Sequence, residues 1–486
     1  MKYHLVVLGC QMNQSDSERV NRIMSEMGYD STDTEEAADI IGMIACSVRQ
    51  KAIDKVYSKI SKWNKWKNKR SLITFVSGCI LPDDQKKFLK LFDLVFDMKE
   101  VEEFPCMLRE YGVHIPDPSH YLSESQNGNT GNTLPEKEHP GFVVDFKSLS
   151  TNQPNINPDN QNSGTQAWNI EPIYNSTFEA FVPIQNGCNK FCTFCAVPYT
   201  RGREVSRSSV GILNEISSLL TKGYKSITLL GQNVNSYGLD KKGEELSFAQ
   251  LLEAIGKMID SHNSDVWVYY TSPHPRDMTR DVIEVMSKYK GIAQQIHLPI
   301  QSGDEKVLIR MNRKHSVTKY REIIGWIREL MPQATIFTDI IVGFSGESDE
   351  QFENTRLAVK EFEYNMAYIA MYSPRPGAAS FNWHDDVNHT VKKERYALLT
   401  EDLSEVAQKW TSQMVGKNYK VLVRGNDRKE GFLSGHTEGK IVVRFPSDDE
   451  SLIGQFVSVK IEFAGPFSVE GQLVDISVLN EEIKVG

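Results

Sequence analysis

Long apolar runs are what this chain of 486 residues most conspicuously lacks. None approaches the ~20 residues that a membrane-crossing helix needs. The start, MKYHLVVLGCQMNQSDSE, has too short an apolar stretch and too polar a sequel for a secretory signal, so a cytoplasmic protein without a membrane partner is expected. Cysteine is scarce and odd in number, seven in all, whereas secreted disulfide frameworks are denser and usually even. Positive charge is also lacking: the formal net charge is −9, which gives no global attraction to nucleic acid. Any such binding must come from a local surface or from shape. What remains is an ordinary globular composition, 40% hydrophobic and 24% charged, long enough for two to four domains.

Three of the few cysteines crowd together in NGCNKFCTFC as Cys188, Cys192 and Cys195, with the spacing C-x3-C-x2-C. Compact thiolates select zinc, copper(I) or iron–sulfur clusters. Structural zinc wants four ligands, commonly in two paired hooks, and no second hook or histidine lies nearby. Three ligands on a four-iron cube would leave one iron uncapped, as a reactive cofactor requires. An open iron–sulfur cluster therefore fits better than zinc, and zinc better than a redox dithiol.

Three other cysteines close apolar runs: HLVVLGC at Cys10, IIGMIAC at Cys46 and LITFVSGC at Cys79. Strand and helix patterns alternate over residues 1–112, and in an open parallel α/β sheet the carboxyl ends of the strands share one edge. A joint metal site at that edge is expected. Cys106, in EFPCML, has no such companion and reads as structural. Ser15 with Glu18 reads as a capping box, followed by Val20, Ile23, Met24 and Met27 at helical spacing. KWNKWKNKR is basic with interleaved tryptophans, as an RNA surface would be, but such a run is more often a charged helix face with core tryptophans. Residues 113–176 are rich in Asn, Ser and Pro, a linker in which GFVVDF offers an edge strand or a docking segment. Residues 177–411 carry six strand–helix repeats, which predict a partial (β/α)6 barrel with right-handed crossovers. Chemistry in such a barrel sits at the carboxyl ends of the strands, where Gln232, Asn233, Ser272, His274, Gln301, Ser302 and Asp339 fall. Residues 412–480 alternate in short strands between Gly-rich turns, a small antiparallel β-barrel or sandwich.

The segments GCQMNQSDSE, CSVRQKA, GCNKFCTFCAVPYTRGREVSR, LLGQNVNSYG, TSPHP, HLPIQSGDEKVLIRMNRKH, TDIIVGFSGES and YSPRPG follow one another along the chain. Together they resemble the methylthiotransferases of the radical S-adenosylmethionine superfamily, and within them the tRNA 2-methylthio-N6-dimethylallyladenosine synthases. The resemblance implies two 4Fe–4S clusters, an auxiliary one on Cys10, Cys46 and Cys79 and a radical one on Cys188, Cys192 and Cys195. S-adenosylmethionine would take the open iron, so the missing fourth ligand is the substrate. By motif position, Phe194, Gln232, Asn233, Ser302, Asp339, Ile341 and Gly343 would bind S-adenosylmethionine, and Arg201, Arg203 and Arg375 the RNA. The C-terminal barrel would be a TRAM domain, and the partners tRNA and a flavodoxin- or ferredoxin-type electron donor, with the protein a monomer. Ala45, Ile80-Leu81-Pro82, Ser345 and Ala378 depart from the family pattern, but none removes a thiolate. Rival readings are a methylthiotransferase for threonylcarbamoyl-adenosine or a ribosomal-protein aspartate, and a non-catalytic zinc protein that binds RNA.

Overall fold

The computed structural model describes residues 1–48, 50–112 and 166–474. The N-terminal unit is a five-stranded parallel sheet built from Lys2–Val7, Asp30–Ser31, Ile40–Cys46, Ile73–Cys79 and Leu94–Val95, the second strand lying outside the first. Every residue of Ile40–Cys46 is buried, which is why IIGMIAC reads as an unbroken apolar run and not as an alternation. Gly42 in that strand makes room for a ring: a Cβ there would stand 2.1 Å from Phe75 Cζ. The basic run after the second long strand lies largely in the helix Gln50–Lys67, where Trp63 is fully buried and Lys62 lies over the Trp66 ring. A charged face over core tryptophan is thus the right description.

One local expectation fails. The first long helix is Gln11–Glu26, capped by Cys10 without a side-chain bond, so Ser15 and Glu18 lie inside it and form no capping box. Their side chains instead bond outward, Ser15 Oγ to the Phe181 carbonyl and Glu18 to the Asn175 amide. The end of the proposed linker has partners of its own. Residues 166–176 are docked along this helix: Arg19 Nε donates to the Ala167 carbonyl, Arg22 Nε to that of Glu171, and the Ile173 amide to that of Glu18. GFVVDF lies outside the described residues.

The central unit carries six parallel strands in sequential order: Glu179–Pro183, Ser226–Leu230, Trp267–Tyr270, Gln295–His297, Thr335–Val342 and Met366–Met371. They form two three-stranded sheets joined at a single bridge between Val268 and Ile292. Among the described residues the first and last strands do not pair with each other, so the arc stays open on one side. Helices cover its outside, and the largest apolar core of the molecule lies between them and the strands.

Residues Asn418–Leu473 close a five-stranded barrel. Its pairings are antiparallel except one, the parallel pairing of Val442–Pro446 with Ser468–Leu473, a departure from the simple antiparallel expectation. Trp267 of the central unit meets Phe456 of the barrel edge-on at 4.6 Å between ring centroids, and Phe337 joins the barrel's own core.

Candidate functional site

The strand-edge expectation can be followed sulfur by sulfur. Cys46 and Cys79 are the last residues of neighbouring parallel strands and are direct register partners. Cys10 caps the helix that leaves the first strand. A residue that sequence reasoning passed over, Asn13, knits the group together: its Oδ1 accepts from Cys10 Sγ at 3.5 Å and from Cys79 Sγ at 3.7 Å. Its Nδ2 donates to the Ala45 and Leu8 carbonyls. The only sequence signal for this role is the place of Asn13 one helical turn after Cys10. The Cys79 thiol is pushed up by its hydrogen bond with Cys46 and then by burial, with Arg201 opposing.

The second group sits beyond the first strand of the central arc. Gly187, at φ +81, lets the chain turn tightly against the backbone of Gly202 and Arg203. The Cys188 amide donates to the Gly202 carbonyl, and the Cys195 amide to that of Cys192. Phe191 takes a positive φ of 51, a conformation that Asn312 braces by donating from Nδ2 to the Phe191 carbonyl. Burial, then the charge of Glu204 and Cys192, pushes the Cys188 thiol up to about 11. Burial and the neighbouring Cys192 push Cys195 up to about 12. Both thiols are therefore neutral at pH 7 in the metal-free chain, and metal binding would expel their protons.

Each group has one buried arginine on one of its sulfurs. Arg313 Nη1 approaches Cys192 Sγ at 3.5 Å while its Nη2 donates to the Pro299 carbonyl. Arg201 Nε approaches Cys79 Sγ at 2.7 Å and its Nη2 binds Asp16. Arg201, expected to meet RNA, is only 7% exposed and joins the N-terminal and central units at their seam. Arg375 reaches the same seam by donating to the Val48 carbonyl. Arg203 is exposed and lies over the Phe191 ring. Arg207 is buried in an ion pair with Glu215. Cys106, expected to be structural, is exposed on the helix Phe104–Glu110.

The residues expected to bind S-adenosylmethionine divide into three kinds. Phe194 and Ile341 share a small apolar cluster with Val307, Met311, Phe344 and Tyr372, next to the Cys192 loop. Gln232 and Asn233 stand beside the other side of that loop: Gln232 Oε1 accepts from the Gly187 amide at 2.5 Å, and Asn233 Nδ2 donates to Glu204, Ser236 and Asp277. Asp339 is half-buried, with His297 Nε2 at 3.2 Å from its Oδ1. Ser302 is instead engaged internally, with the Thr355 hydroxyl and the Asp304 amide. Gly343 has a plain packing reason to be glycine: it takes φ +70, and a Cβ would meet Lys392 Cγ at 2.4 Å. Of the other strand-end candidates, His274 is buried and held well below the usual histidine range by burial and the nearby Arg313. Gln301 and Ser272 both take positive φ.

The donor chemistry fits iron–sulfur clusters. Each group offers three soft thiols, and the thiolates of a four-iron cluster each bind a different iron. Buried polar atoms without a protein partner flank both groups, Ser47 Oγ beside Cys46 and Asn233 Oδ1 beside the Gly187–Cys188 loop.

Comparison with known proteins finds a match for each of the three units. Residues 182–359 match the radical SAM superfamily, residues 2–97 an uncharacterized protein family, UPF0004, and residues 412–474 the TRAM domain. The tRNA-2-methylthio-N(6)-dimethylallyladenosine synthase of Clostridium botulinum (strain Langeland) is 36% identical, over 97% of this chain and 96% of its own. The enzymes of the same name from Symbiobacterium thermophilum and Geobacillus kaustophilus are 35% and 34% identical, over 98% and 100% of this chain and 95% and 84% of theirs. The radical S-adenosylmethionine methyltransferase TsrM of Kitasatospora setae, with tryptophan and a S-adenosylmethionine analogue bound, has a TM-score of 0.51 at 11% identity. That match covers 88% of this chain and 79% of TsrM, a likeness of fold alone.

Proposed function

The chain belongs to the radical S-adenosylmethionine methylthiotransferases, in the family of tRNA-2-methylthio-N(6)-dimethylallyladenosine synthases, and we propose that it adds a methylthio group to C2 of N6-dimethylallyladenosine 37, next to the tRNA anticodon. The membership brings a 4Fe–4S cluster and S-adenosylmethionine with it. Two clusters, with three ligands each, are our further reading. Cys188, Cys192 and Cys195 would hold the first, and Cys10, Cys46 and Cys79 the second. One observation carries this reading: the six cysteines form two separate groups, each with a buried arginine on one sulfur, and the seventh stands apart on the surface.

When bound, the two clusters and S-adenosylmethionine supply radical hydrogen abstraction and sulfur chemistry. The protein's own residues orient and shield. Gly187, Asn312 and the amides of Cys188 and Cys195 fix the radical-site loop. Arg313 sets a cation beside Cys192, and Asn13 holds the Cys10 and Cys79 sulfurs in one orientation. Phe194 and Ile341 would give S-adenosylmethionine an apolar wall, and Gln232, Asn233 and Asp339 would offer it polar side chains. Ser302 and Gly343 shape the site from behind, since their contacts are with the chain itself.

The short helix Val197–Arg201 runs from the Cys195 loop to the Cys79 sulfur. At 1.5 Å rise per residue its five residues span about 7.5 Å, and a base turned out of its loop would have to enter between the two groups. Arg203, exposed over Phe191, and Arg375, at the seam, are the arginines we assign to RNA phosphates or splayed bases, with the TRAM barrel adding a sequence-independent hold. We further take the protein to be a cytoplasmic monomer served by a flavodoxin or ferredoxin.

The test is anaerobic reconstitution with S-adenosylmethionine, a reductant and tRNA from cells lacking the modification. Nucleoside analysis should reveal 2-methylthio-N6-dimethylallyladenosine. A product formed on threonylcarbamoyl-adenosine would overturn the substrate assignment.

A further inference from the structure

Arg201 is the residue whose surroundings least resemble its sequence context. It ends the helix Val197–Arg201 of the central unit, yet its guanidinium lies in the N-terminal unit, wedged between Cys79 Sγ and Asp16 Oδ2 at 2.7 and 2.6 Å. Asp16 comes from the helix that starts at Cys10. Asn186 Nδ2 donates to the Arg201 carbonyl and so anchors the residue from the radical-site side. A planar fork that spans a carboxylate and a sulfur at once is an arginine geometry that lysine reproduces only in part.

We propose that Arg201 is a positioning residue for the auxiliary centre, a fixed cation that the central unit contributes to the Cys79 sulfur of its neighbour. The proposal rests on the reading that Cys10, Cys46 and Cys79 hold a cluster. A cation and an N–H donor beside a ligating thiolate stabilise the more negative, reduced form and raise the reduction potential. The N-terminal unit supplies the three thiols, but this electrostatic partner arrives only when the central unit is docked. The auxiliary centre therefore attains its working potential only in the assembled chain, where the radical site is in place beside it.

The experiment uses the full chain with Cys188, Cys192 and Cys195 replaced by Ala, loaded anaerobically with iron and sulfide, so that one cluster alone is read. Redox titration followed by electron paramagnetic resonance gives its midpoint potential. Arg201→Gln should shift that potential downward, and Arg201→Lys should recover part of the shift. Asp16→Asn, which leaves the guanidinium charge uncompensated beside Cys79, should shift the potential upward, and keeps the test alive if Arg201→Gln does not hold its cluster. Ser15→Ala breaks a bond across the same seam, to the Phe181 carbonyl, without removing a charge or a donor to a sulfur, and should leave the potential where it is. A retained cluster with unshifted potential in both Arg201→Gln and Asp16→Asn, or an equal shift in Ser15→Ala, overturns the proposal. A parent chain that binds no iron overturns the auxiliary-site reading and the proposal with it.

Discussion

Replacing Gly187 by Ala is the sharpest single perturbation of the radical site that leaves every cysteine in place. The glycine sits at φ +81, and a Cβ there would lie 1.9 Å from the Arg203 carbonyl oxygen and 2.7 Å from that of Gly202. The left-handed backbone alone costs an L-residue about 1–2 kcal/mol. Gly223 separates that cost from the clash, because it has φ +78 and a Cβ there would meet nothing within 4 Å. Gly223→Ala should therefore lose only the conformational 1–2 kcal/mol or so, while Gly187→Ala loses that and must also push two backbone segments apart. Both obstructing atoms are backbone, so no rotamer change relieves them. The loop must yield by roughly 1 Å, and a misplacement of that size at a reacting centre costs about 100-fold in rate. Because Cys188 follows directly, iron at the radical site should fall too. Urea unfolding of both variants, with iron analysis in a Cys10→Ala, Cys46→Ala, Cys79→Ala background, reads the two effects separately. Equal stability losses in the two variants, with the radical-site iron intact in Gly187→Ala, would refute the reasoning.

Three further outcomes follow from the packing. Burial holds the Glu18 carboxyl up at about 7 from an ordinary 4.5, against the pull of the Asn175 amide and Arg19. The folded chain then binds the extra proton, so stability should fall as pH rises from 4.5 to 7, by on the order of 3 kcal/mol. Glu18→Gln should flatten that slope, and an unchanged slope would contradict the assignment. Glu347, nearly fully buried, accepts from the Gly343 amide and from Arg395 at 2.6 and 2.8 Å. Glu347→Ala should cost about 3 kcal/mol in urea unfolding by taking from buried Arg395 its buried carboxylate partner, leaving it the residue-347 carbonyl and exposed Asp349. Trp267→Ala should cost about 3–5 kcal/mol by emptying the contact with Phe456, and limited proteolysis should then release the C-terminal barrel.

Where one strand or one motif decides a feature, the sequence announces it. The runs ending at Cys46 and Cys79 are legible because a buried parallel strand needs continuous apolar residues and must stop at the sheet edge. The C-x3-C-x2-C loop is legible because its ligands are local. Features that depend on one unit meeting another are hidden. Ser15 and Glu18 have the spacing of a capping box, but the helix starts at Gln11 and both side chains serve the contacts with Phe181 and Asn175. Arg201 looks like an exposed arginine in a basic stretch until the two units are docked and it points at Cys79. Gly343 resembles a ligand-facing glycine, yet the stem of Lys392, from a helix far along the chain, fills that space. Asn13 carries no signal beyond its distance from Cys10, because the bonds that matter run to residues of two other strands.

Iron stoichiometry in the anaerobically loaded chain tests the central claim most directly. The account predicts about eight irons per chain with the brown absorbance of 4Fe–4S clusters, falling to about four when either Cys10, Cys46 and Cys79 or Cys188, Cys192 and Cys195 are replaced by Ala. A colourless protein with one or two zinc ions, or the loss of all iron on removing either group alone, would contradict it.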